Sequence, residues 1–174
     1  MASVVLSPYS DNWPTAFARF RAELVGAFAP IPVLIEHVGS TAVAGLVAKP
    51  VVDIVLGVRQ LSDVESKIGT LAVLGYAYVS KYERELPSRR YFVKSAAGEH
   101  RVHLHAVVYR SPIWQQHLAF RDALRADSNL ARQYAQLKLQ LAAEFANDKA
   151  AYTDAKAPFI RAVLSALFSD GNEK

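Results

Sequence analysis

The sequence of 174 residues contains no cysteine. Disulfide bonds, thiolate metal sites and a cysteine nucleophile are therefore excluded. The sequence also lacks any apolar run of the roughly 20 residues that a membrane-spanning helix needs. The apolar run near its start, Val4–Leu6, is too short for a signal peptide and follows no basic segment. We therefore expect a cytoplasmic protein that has no membrane partner.

A large excess of charge of one sign is also absent, because 20 Lys and Arg residues are balanced by 16 Asp and Glu residues. The net charge of +4 and the isoelectric point of about 9.4 are modest for a nucleic-acid-binding protein, and no basic tail accompanies them. Nucleic acid is therefore disfavoured as a partner, whereas a small anionic or phosphorylated ligand suits this charge. A homo-oligomer is also compatible with the sequence.

The apolar pattern divides the chain into an α/β core, residues 1–110, and a helical extension, residues 111–174, which we expect to pack together as a single domain. Apolar spacing predicts one helix over 12–28 and another over 62–75. It also predicts at least three helices after Ser111-Pro112, and Pro158 is expected to kink or restart the last of them. Short apolar runs predict strands at Val33–Val38, Val51–Val58, Tyr76–Tyr82, Tyr91–Lys94 and Arg101–Val108. The segment Ser95–Glu99 is expected to join the last two strands as a hairpin.

Three small residues, Gly39, Ser40 and Thr41, follow the first predicted strand and precede a predicted short helix. Glycine permits close approach of the backbone, and the free N–H groups at a helix start favour an anion. The segment is therefore a candidate phosphate-binding turn. The alternative is an ordinary strand-to-helix turn in which Ser40 or Thr41 caps the helix.

One acidic residue, Asp53, lies inside the apolar strand Val51–Val58. An ionised carboxylate in such a strand needs a proton, a metal or a cation, because burying it alone is very costly. Asp53 is therefore a candidate catalytic or metal-binding residue, and Glu36, at the end of the preceding strand, is a second acid near it. The alternative for Asp53 is a structural ion pair, for instance with Lys49 or an arginine.

Two histidines, His103 and His105, are two residues apart on a predicted strand, so both point to the same face together with Arg101. Two imidazoles on one face suit a metal or a phosphate, and either imidazole can transfer a proton near neutral pH. The alternative is polar surface on a half-exposed strand. The functional interpretation requires that this face also carries Asp53.

Several cationic residues are candidates for neutralising phosphate charge. Lys49 precedes the strand of Asp53, Arg90 precedes the strand Tyr91–Lys94, and Lys138 lies one helical turn after Tyr134. For each of them alone, the alternative is a solvated surface position.

A longer pattern resembles a known family. Residues 35–43 read IEHVGSTAV and are followed by Gly45-Leu46, Ala48-Lys49-Pro50 and Asp53-Ile54. This combination is similar to the signature of the GrpB-like family, which is assigned to the nucleotidyltransferase fold. The resemblance implies an α+β protein with a nucleotidyltransferase-like mixed β-sheet, flanking helices and a helical C-terminal part. It also implies that Gly39-Ser40 forms the phosphate-binding turn and that Asp53 occupies the first metal-binding carboxylate position.

The sequence departs from the usual nucleotidyltransferase pattern at the second carboxylate. Those enzymes place a second acid two residues after the first, so that two carboxylates bridge Mg²⁺ ions, whereas this chain has Val55 there. The strand where a third acid is expected carries His103 and His105 instead. Imidazole suits transition metals better than magnesium. A single divalent metal held by Asp53, His103 and Glu36 is therefore an alternative geometry.

These observations leave three hypotheses open. The first is a metal-assisted nucleotidyltransferase that binds a nucleoside triphosphate at residues 39–41 and transfers a nucleotidyl or phosphoryl group. In it Asp53 holds the metal, Mg²⁺ or a transition metal, and His103 or His105 is the second ligand or the base, while Lys49, Arg90 and Lys138 contact phosphate. The second is a non-catalytic module that binds nucleotide or phosphate, and the third is a metal-dependent hydrolase that uses the paired histidines.

Overall fold

The computed structural model describes residues 3–95 and 100–169. Its strands are β1 (Leu34–Val38), β2 (Val51–Val58), β3 (Tyr76–Tyr78), β4 (Arg89–Lys94) and β5 (Arg101–Val108). Its α-helices are α1 (Asn12–Phe28), α2 (Leu61–Glu65), α3 (Ile68–Val73), α4 (Pro112–Ala126), α5 (Ser128–Glu144) and α6 (Lys149–Ser169). Short 3₁₀ turns occupy Ser40–Ala42 and Ser80–Tyr82.

The strands form a mixed sheet in the order β1-β2-β5-β4-β3. β2 and β5 are parallel and the other neighbouring pairs are antiparallel, so β3 runs in the same direction as β2. The helices α2 and α3 connect β2 to β3 as a crossover, which the order of elements in the sequence predicts. The register sets Asp53 opposite Val38 on β1 and opposite His103 on β5. Since alternate residues of a strand point to opposite faces, Asp53, Val55 and Gly57 share one face of the sheet.

The opposite face of the sheet packs against the helices of the N-terminal half. There the β2 residues Val52, Ile54 and Leu56 are fully buried and belong to the same apolar cluster as Phe20 and Leu24 of α1. Burying a side chain of this size stabilises the folded state by about 1.5–3 kcal/mol. This face therefore holds the main apolar core, and it leaves the polar residues of β2 to the other side.

On the face that carries Asp53, α4 covers only part of the sheet. Trp114 of α4 packs against Val38, Val55 and Val107. Gly57 permits this contact, because a Cβ atom there would lie 2.7 Å from the Trp114 ring. The C-terminal half of β2 is thereby covered, and its N-terminal half faces a cavity.

The helices α5 and α6 complete this side of the molecule. Tyr134 of α5 contacts Phe120 of α4 edge-on, with ring centroids 5.3 Å apart, and stacks on Phe159 of α6 at 5.2 Å. Val43 and Leu46, which follow the first 3₁₀ turn, belong to the same cluster. The helical part is thereby packed onto the segment that joins β1 to β2.

Two strand boundaries differ from the predictions. The predicted strand Tyr76–Tyr82 ends at Tyr78, because the chain turns there and the Tyr78 hydroxyl donates a hydrogen bond to the Glu83 carboxylate. β4 begins at Arg89, two residues earlier than predicted. The antiparallel pairing of β4 with β5 is confirmed, and residues 96–99 of the predicted hairpin connection lie outside the described residues.

The predicted helix after Ser62 is two short helices, α2 and α3. Gln60 is the N-cap residue of α2, and its backbone N–H donates to the Asp63 carboxylate. The Ser66 hydroxyl donates to the Asp63 carbonyl oxygen at 2.8 Å. This hydrogen bond competes with the backbone hydrogen bonds of the helix, so the first helix ends here.

The last helix, α6, is continuous through Pro158, so the prediction that this proline restarts the helix is wrong. Pro158 is exposed, where its ring meets water. Although α6 spans 21 residues, none of the helices in the described ranges is long and apolar enough to cross a membrane.

Candidate functional site

A cavity of about 800 Å³ lies on the α4 side of the sheet, over the N-terminal halves of β2 and β5. Its walls come from the first 3₁₀ turn, from β2, β4 and β5, and from α5 and α6. The predicted site residues that line it are Ser40, Thr41, Lys49, Asp53, His103, His105 and Lys138. Gly39 lies directly against Asp53, whereas the described lining does not include Glu36 or Arg90.

The turn after β1 lies directly on the Asp53 carboxylate. Gly39 has a φ of +70° and a ψ of −173°, a combination that is essentially confined to glycine. A Cβ atom on Gly39 would lie 2.5 Å from Asp53 Oδ2. Glycine is therefore required here for two independent reasons, the backbone conformation and the close approach to the carboxylate.

The interior of the turn is fixed by a buried hydrogen-bond chain. The Thr41 hydroxyl donates to the Val51 carbonyl oxygen at 3.0 Å, so its oxygen accepts from His37 Nε2, also at 3.0 Å. Burial lowers the pKa of His37 to about 4, and the neutral ring stacks on Phe17 with centroids 4.8 Å apart. The turn is thereby joined to β2 and α1, and Ser40 is left to face the cavity.

Two arginines of α4 hold the ends of the same turn. Arg121 donates to the His37 carbonyl oxygen at 2.9 Å and to Glu36 Oε2 at 2.7 Å. Arg125 donates twice to the Ala42 carbonyl oxygen, at 2.9 and 2.7 Å. Glu36 is therefore paired with an arginine of α4 and is not brought to Asp53, so the three-ligand set predicted for a single metal is not assembled.

At the floor of the cavity, Asp53 is surrounded by the two predicted histidines. His103 Nδ1 lies 3.3 Å from Asp53 Oδ1, and His105 Nε2 lies 3.9 Å from the same oxygen. Burial raises the pKa of Asp53, but hydrogen bonds from His103 and His105 outweigh burial and hold the pKa well below its usual range. The face that carries the histidines is therefore the face that carries Asp53, as the functional interpretation requires, and Asp53 is ionised at neutral pH.

The remaining ring nitrogens of both histidines are also engaged. Arg101 Nε donates to His103 Nε2 at 3.2 Å, and Arg89 lies 3.3 Å from His105 Nδ1. An arginine can only donate, so each of these nitrogens accepts, and each neutral ring carries its proton on the nitrogen that faces Asp53. In this arrangement neither histidine has a free nitrogen with which to accept a proton from a substrate.

The surroundings of His105 keep its ring neutral. His117 of α4 lies with its ring centroid 4.9 Å from that of His105, and Tyr91 of β4 lies 5.1 Å from it. Burial lowers the pKa of His105, and the Asp53 carboxylate, which accepts from the His105 ring and raises the pKa, does not restore it. Burial is the main cause that lowers the pKa of His117 to about 3, and a proton on the neighbouring His105 would lower it further. The positive charge of the site therefore comes from lysine and arginine.

The donor set does not fit the two-metal site of a nucleotidyltransferase. Of the described strand residues that line the cavity, Asp53 is the one carboxylate, and the position two residues later is Val55, which is fully buried in the apolar cluster under Trp114. No group of three His, Asp or Glu side chains among the described residues is placed to hold a metal ion. Magnesium prefers a set of oxygen ligands, and the imidazoles of His103 and His105 are directed at Asp53 itself.

A buried lysine from α5 reaches the turn. Lys138 is 2% exposed, and its Nζ donates to Ser40 Oγ at 2.9 Å and to the Val47 carbonyl oxygen. The Nζ also lies 4.8 Å from the centroid of the Tyr134 ring. Burial lowers the pKa of Lys138 to about 7, and the charge of Lys156 adds to this shift. Lys138 therefore takes up or loses a proton near neutral pH, next to the predicted phosphate-binding residue.

Two further lysines contact a single aromatic ring at the cavity wall. The Nζ of Lys49 lies 4.0 Å from the centroid of Tyr152, and the Nζ of Lys156 lies 4.4 Å from it. Burial lowers the pKa of Lys49 to about 8, followed by the charges of Lys156 and Lys149. Burial also lowers the pKa of Lys156. The cavity thus holds lysines that an anionic ligand would bring into the charged form.

The lining residues that were not predicted from sequence include Tyr152 and Lys156. Arg90 was predicted, but β-strand alternation turns it to the other face of the sheet, where it binds Glu65 at 2.6 Å. Arg89 faces the cavity in its place. The sequence does contain a pattern that points to Tyr152 and Lys156. These two residues are four apart, the same helical spacing that separates Tyr134 and Lys138.

Comparisons with known proteins agree with this architecture. The family model described as GrpB protein matches residues 3–166. The glutamate-rich protein GrpB of Alkalihalophilus pseudofirmus is 33% identical over 168 residues, which cover 94% of this chain and 95% of that protein. The crystal structure of conserved protein GrpB from Enterococcus faecalis has a TM-score of 0.86 and 28% identity, covering 97% of this chain and 100% of that chain. The Cid1 poly(U) polymerase, crystallised with MgGTP bound, shares the fold at a TM-score of 0.53 and 11% identity, covering 77% of this chain and 43% of that chain.

Proposed function

This chain belongs to the GrpB protein family, and since its fold is nucleotidyltransferase-like, we propose that it binds a nucleotide or a related phosphorylated small molecule in the cavity beside Ser40. The observation that carries this proposal is the convergence of lysines from separate parts of the chain on the cavity that Ser40 lines, where Lys138 donates to Ser40 itself. Cationic lining residues also outnumber acidic ones. The cationic residues are Lys49, Lys138, Lys149, Lys156 and Arg89, and the acidic ones are Asp53, Glu85 and Asp154.

In the proposed complex the phosphate groups lie against the turn and the lysines. Ser40 Oγ and the Lys138 ammonium donate to one phosphate group, and Lys49 and Lys156 neutralise the neighbouring charge. The MgGTP bound to the Cid1 polymerase, a relative in fold, supports a nucleotide as the ligand. Arg121 and Arg125 position the turn through its carbonyl oxygens and have no direct role in binding.

The second candidate function is transfer of a nucleotidyl or phosphoryl group. It is favoured by the ionised Asp53, which would serve as the first carboxylate of a nucleotidyltransferase. Binding without transfer explains more of the site. Val55 stands at the position where a nucleotidyltransferase has its second acid, and both histidines lack a free ring nitrogen. Binding is therefore the primary proposal.

Replacing Asp53 by asparagine tests this choice, because the two functions predict opposite results. The Asp53 carboxylate repels a phosphate that is held by lysines alone, so we expect Asp53→Asn to bind inorganic triphosphate about threefold to tenfold more tightly. The measurement is titration calorimetry in magnesium-free buffer that contains a chelator. Asp11→Asn, an exposed carboxylate outside the cavity, is the matched control and should leave the affinity unchanged.

Weaker binding by Asp53→Asn in a parallel titration with Mg²⁺ in place of the chelator would contradict direct binding and favour a carboxylate that holds a metal. The transfer reaction is tested in parallel by measuring the release of pyrophosphate from each nucleoside triphosphate in the presence of Mg²⁺. Turnover by the parent that is lost in Asp53→Asn would establish the second candidate. Absence of triphosphate binding by the parent chain would overturn the proposal itself.

Proton uptake on binding is the second expected result. In the free protein the pKa values of Lys138 and Lys49 are lowered to about 7 and about 8, chiefly by burial. A bound phosphate raises the pKa of Lys138, which contacts it in the proposed complex, so at pH 8 we expect uptake of about one proton per triphosphate. The affinity should therefore fall as the pH rises above 7. Calorimetry in two buffers with different ionisation enthalpies measures the uptake, and a value of zero at pH 8 would contradict it.

A further inference from the structure

The cavity contains an amine whose surroundings suit a reaction as well as charge neutralisation. Among the described residues, Lys49 Nζ has no carboxylate partner and donates no hydrogen bond. Its neighbour is the ring of Tyr152, at 4.0 Å, and Lys156 approaches the same ring at 4.4 Å. Lys138, in contrast, is held by Ser40 and by the Val47 carbonyl oxygen. Lys156 also donates no hydrogen bond within residues 3–95 and 100–169, but it is more deeply buried than Lys49, so Lys49 is the one that a ligand in the cavity reaches more readily.

A lysine becomes a nucleophile when burial or a neighbouring cation favours its neutral amine. Both conditions hold for Lys49, because burial and the charges of Lys156 and Lys149 lower its pKa. A neutral amine at neutral pH attacks carbonyl carbon readily. The other lysines and Arg89 around the cavity would at the same time bind an anionic group of the same molecule.

We propose that Lys49 forms an imine with a small phosphorylated aldehyde or ketone that binds in this cavity. The inference rests on the proposed phosphate site, since the phosphate group positions the carbonyl group beside Lys49. The neutral amine of Lys49 forms a bond to the carbonyl carbon, and the carbonyl oxygen takes up a proton from the Lys156 ammonium. The resulting carbinolamine loses its hydroxyl group as water, with a proton from the attacking nitrogen, and leaves the C=N double bond.

The test uses pyridoxal 5′-phosphate as the probe, because it carries both an aldehyde and a phosphate group. The full chain is incubated with the probe near pH 7, reduced with borohydride, and mapped by peptide mass spectrometry. We expect Lys49 to be labelled at least about tenfold faster than Lys81, and inorganic triphosphate to prevent the labelling. Lys81 is the matched control, since it also packs on a tyrosine ring, at 4.9 Å from Tyr82, but is exposed.

The variant Lys49→Arg keeps a cation in the cavity and cannot form an imine. It should therefore lose the label. If the probe competes with triphosphate but no reduced adduct forms at Lys49, the imine proposal is overturned and the proposed phosphate site stands. If pyridoxal without phosphate labels Lys49 equally fast and triphosphate gives no protection, Lys49 is reactive and the phosphate site is overturned. Equal labelling of all exposed lysines without protection would overturn both.

Discussion

Gly39→Ala should unfold or severely destabilise the protein, with a loss of about 3 kcal/mol or more in the free energy of unfolding. The backbone of Gly39, at φ +70° and ψ −173°, is essentially closed to alanine. The added Cβ atom would also lie 2.5 Å from Asp53 Oδ2 and 3.0 Å from Asp53 Cβ. The carboxylate cannot move aside at low cost, because it is bound to His103 and His105. Urea denaturation followed by circular dichroism measures the loss.

Two glycine variants separate the causes of this effect. Gly45 also has a positive φ, +77°, but a Cβ atom there would meet nothing within 4 Å. Gly45→Ala should therefore show the backbone cost alone, about 1 kcal/mol. Gly26 lies in α1 with open space around it, and Gly26→Ala should stabilise the helix by about 0.5–1 kcal/mol. A loss for Gly39→Ala no larger than that for Gly45→Ala would show that the turn does not press on Asp53.

Much of the fold follows from local patterns in the sequence. The strands Val51–Val58 and Arg101–Val108 have the predicted bounds, because each is an apolar run with turn residues at its ends. The short turn after β1 was predicted from Gly39-Ser40, and it is present. The prediction for Tyr76–Tyr82 failed because a 3₁₀ turn at Ser80–Tyr82, closed by a hydrogen bond from the Tyr78 hydroxyl to the Glu83 carboxylate, bends a segment whose composition favours a strand.

The candidate site was predicted where neighbouring strands build it. Asp53 and His103 are opposite each other in the register, so two-residue alternation is enough to place both histidines near the acid. Where helices build the site, Lys138 was predicted as a phosphate-contacting residue, but its contact with Ser40 was not. Lys138 meets Ser40 across 98 residues of sequence, and Arg121 pairs with Glu36 across 85 residues. No periodicity in the sequence specifies which face of a distant helix meets which strand, so Glu36 was assigned to a metal that the geometry does not favour.

Lys138→Met should remove most of the affinity for triphosphate while making the free protein more stable at low pH. A buried ammonium that donates to a phosphate is worth about 2–5 kcal/mol of binding, so we expect a loss of at least about 30-fold. Methionine has a similar length and carries no charge. Calorimetry gives the affinity, and Lys81→Met, an exposed position, should leave it unchanged. An affinity within threefold of the parent would contradict the role of Lys138 in binding.

The stability of the same variant should change sign with pH. The pKa of Lys138 is lowered to about 7 in the folded state by burial, whereas an unfolded lysine has a pKa of about 10.4. Between these values the unfolded chain binds more protons, so this lysine destabilises the fold fully below pH 7, by about 4 kcal/mol, and progressively less up to pH 10. Methionine removes that penalty but leaves the Val47 carbonyl oxygen and Ser40 without this donor, at a cost of about 1–3 kcal/mol. Lys138→Met should therefore be more stable than the parent at pH 6 and less stable at pH 10. If the difference in unfolding free energy between the variant and the parent does not vary with pH, Lys138 keeps its charge throughout.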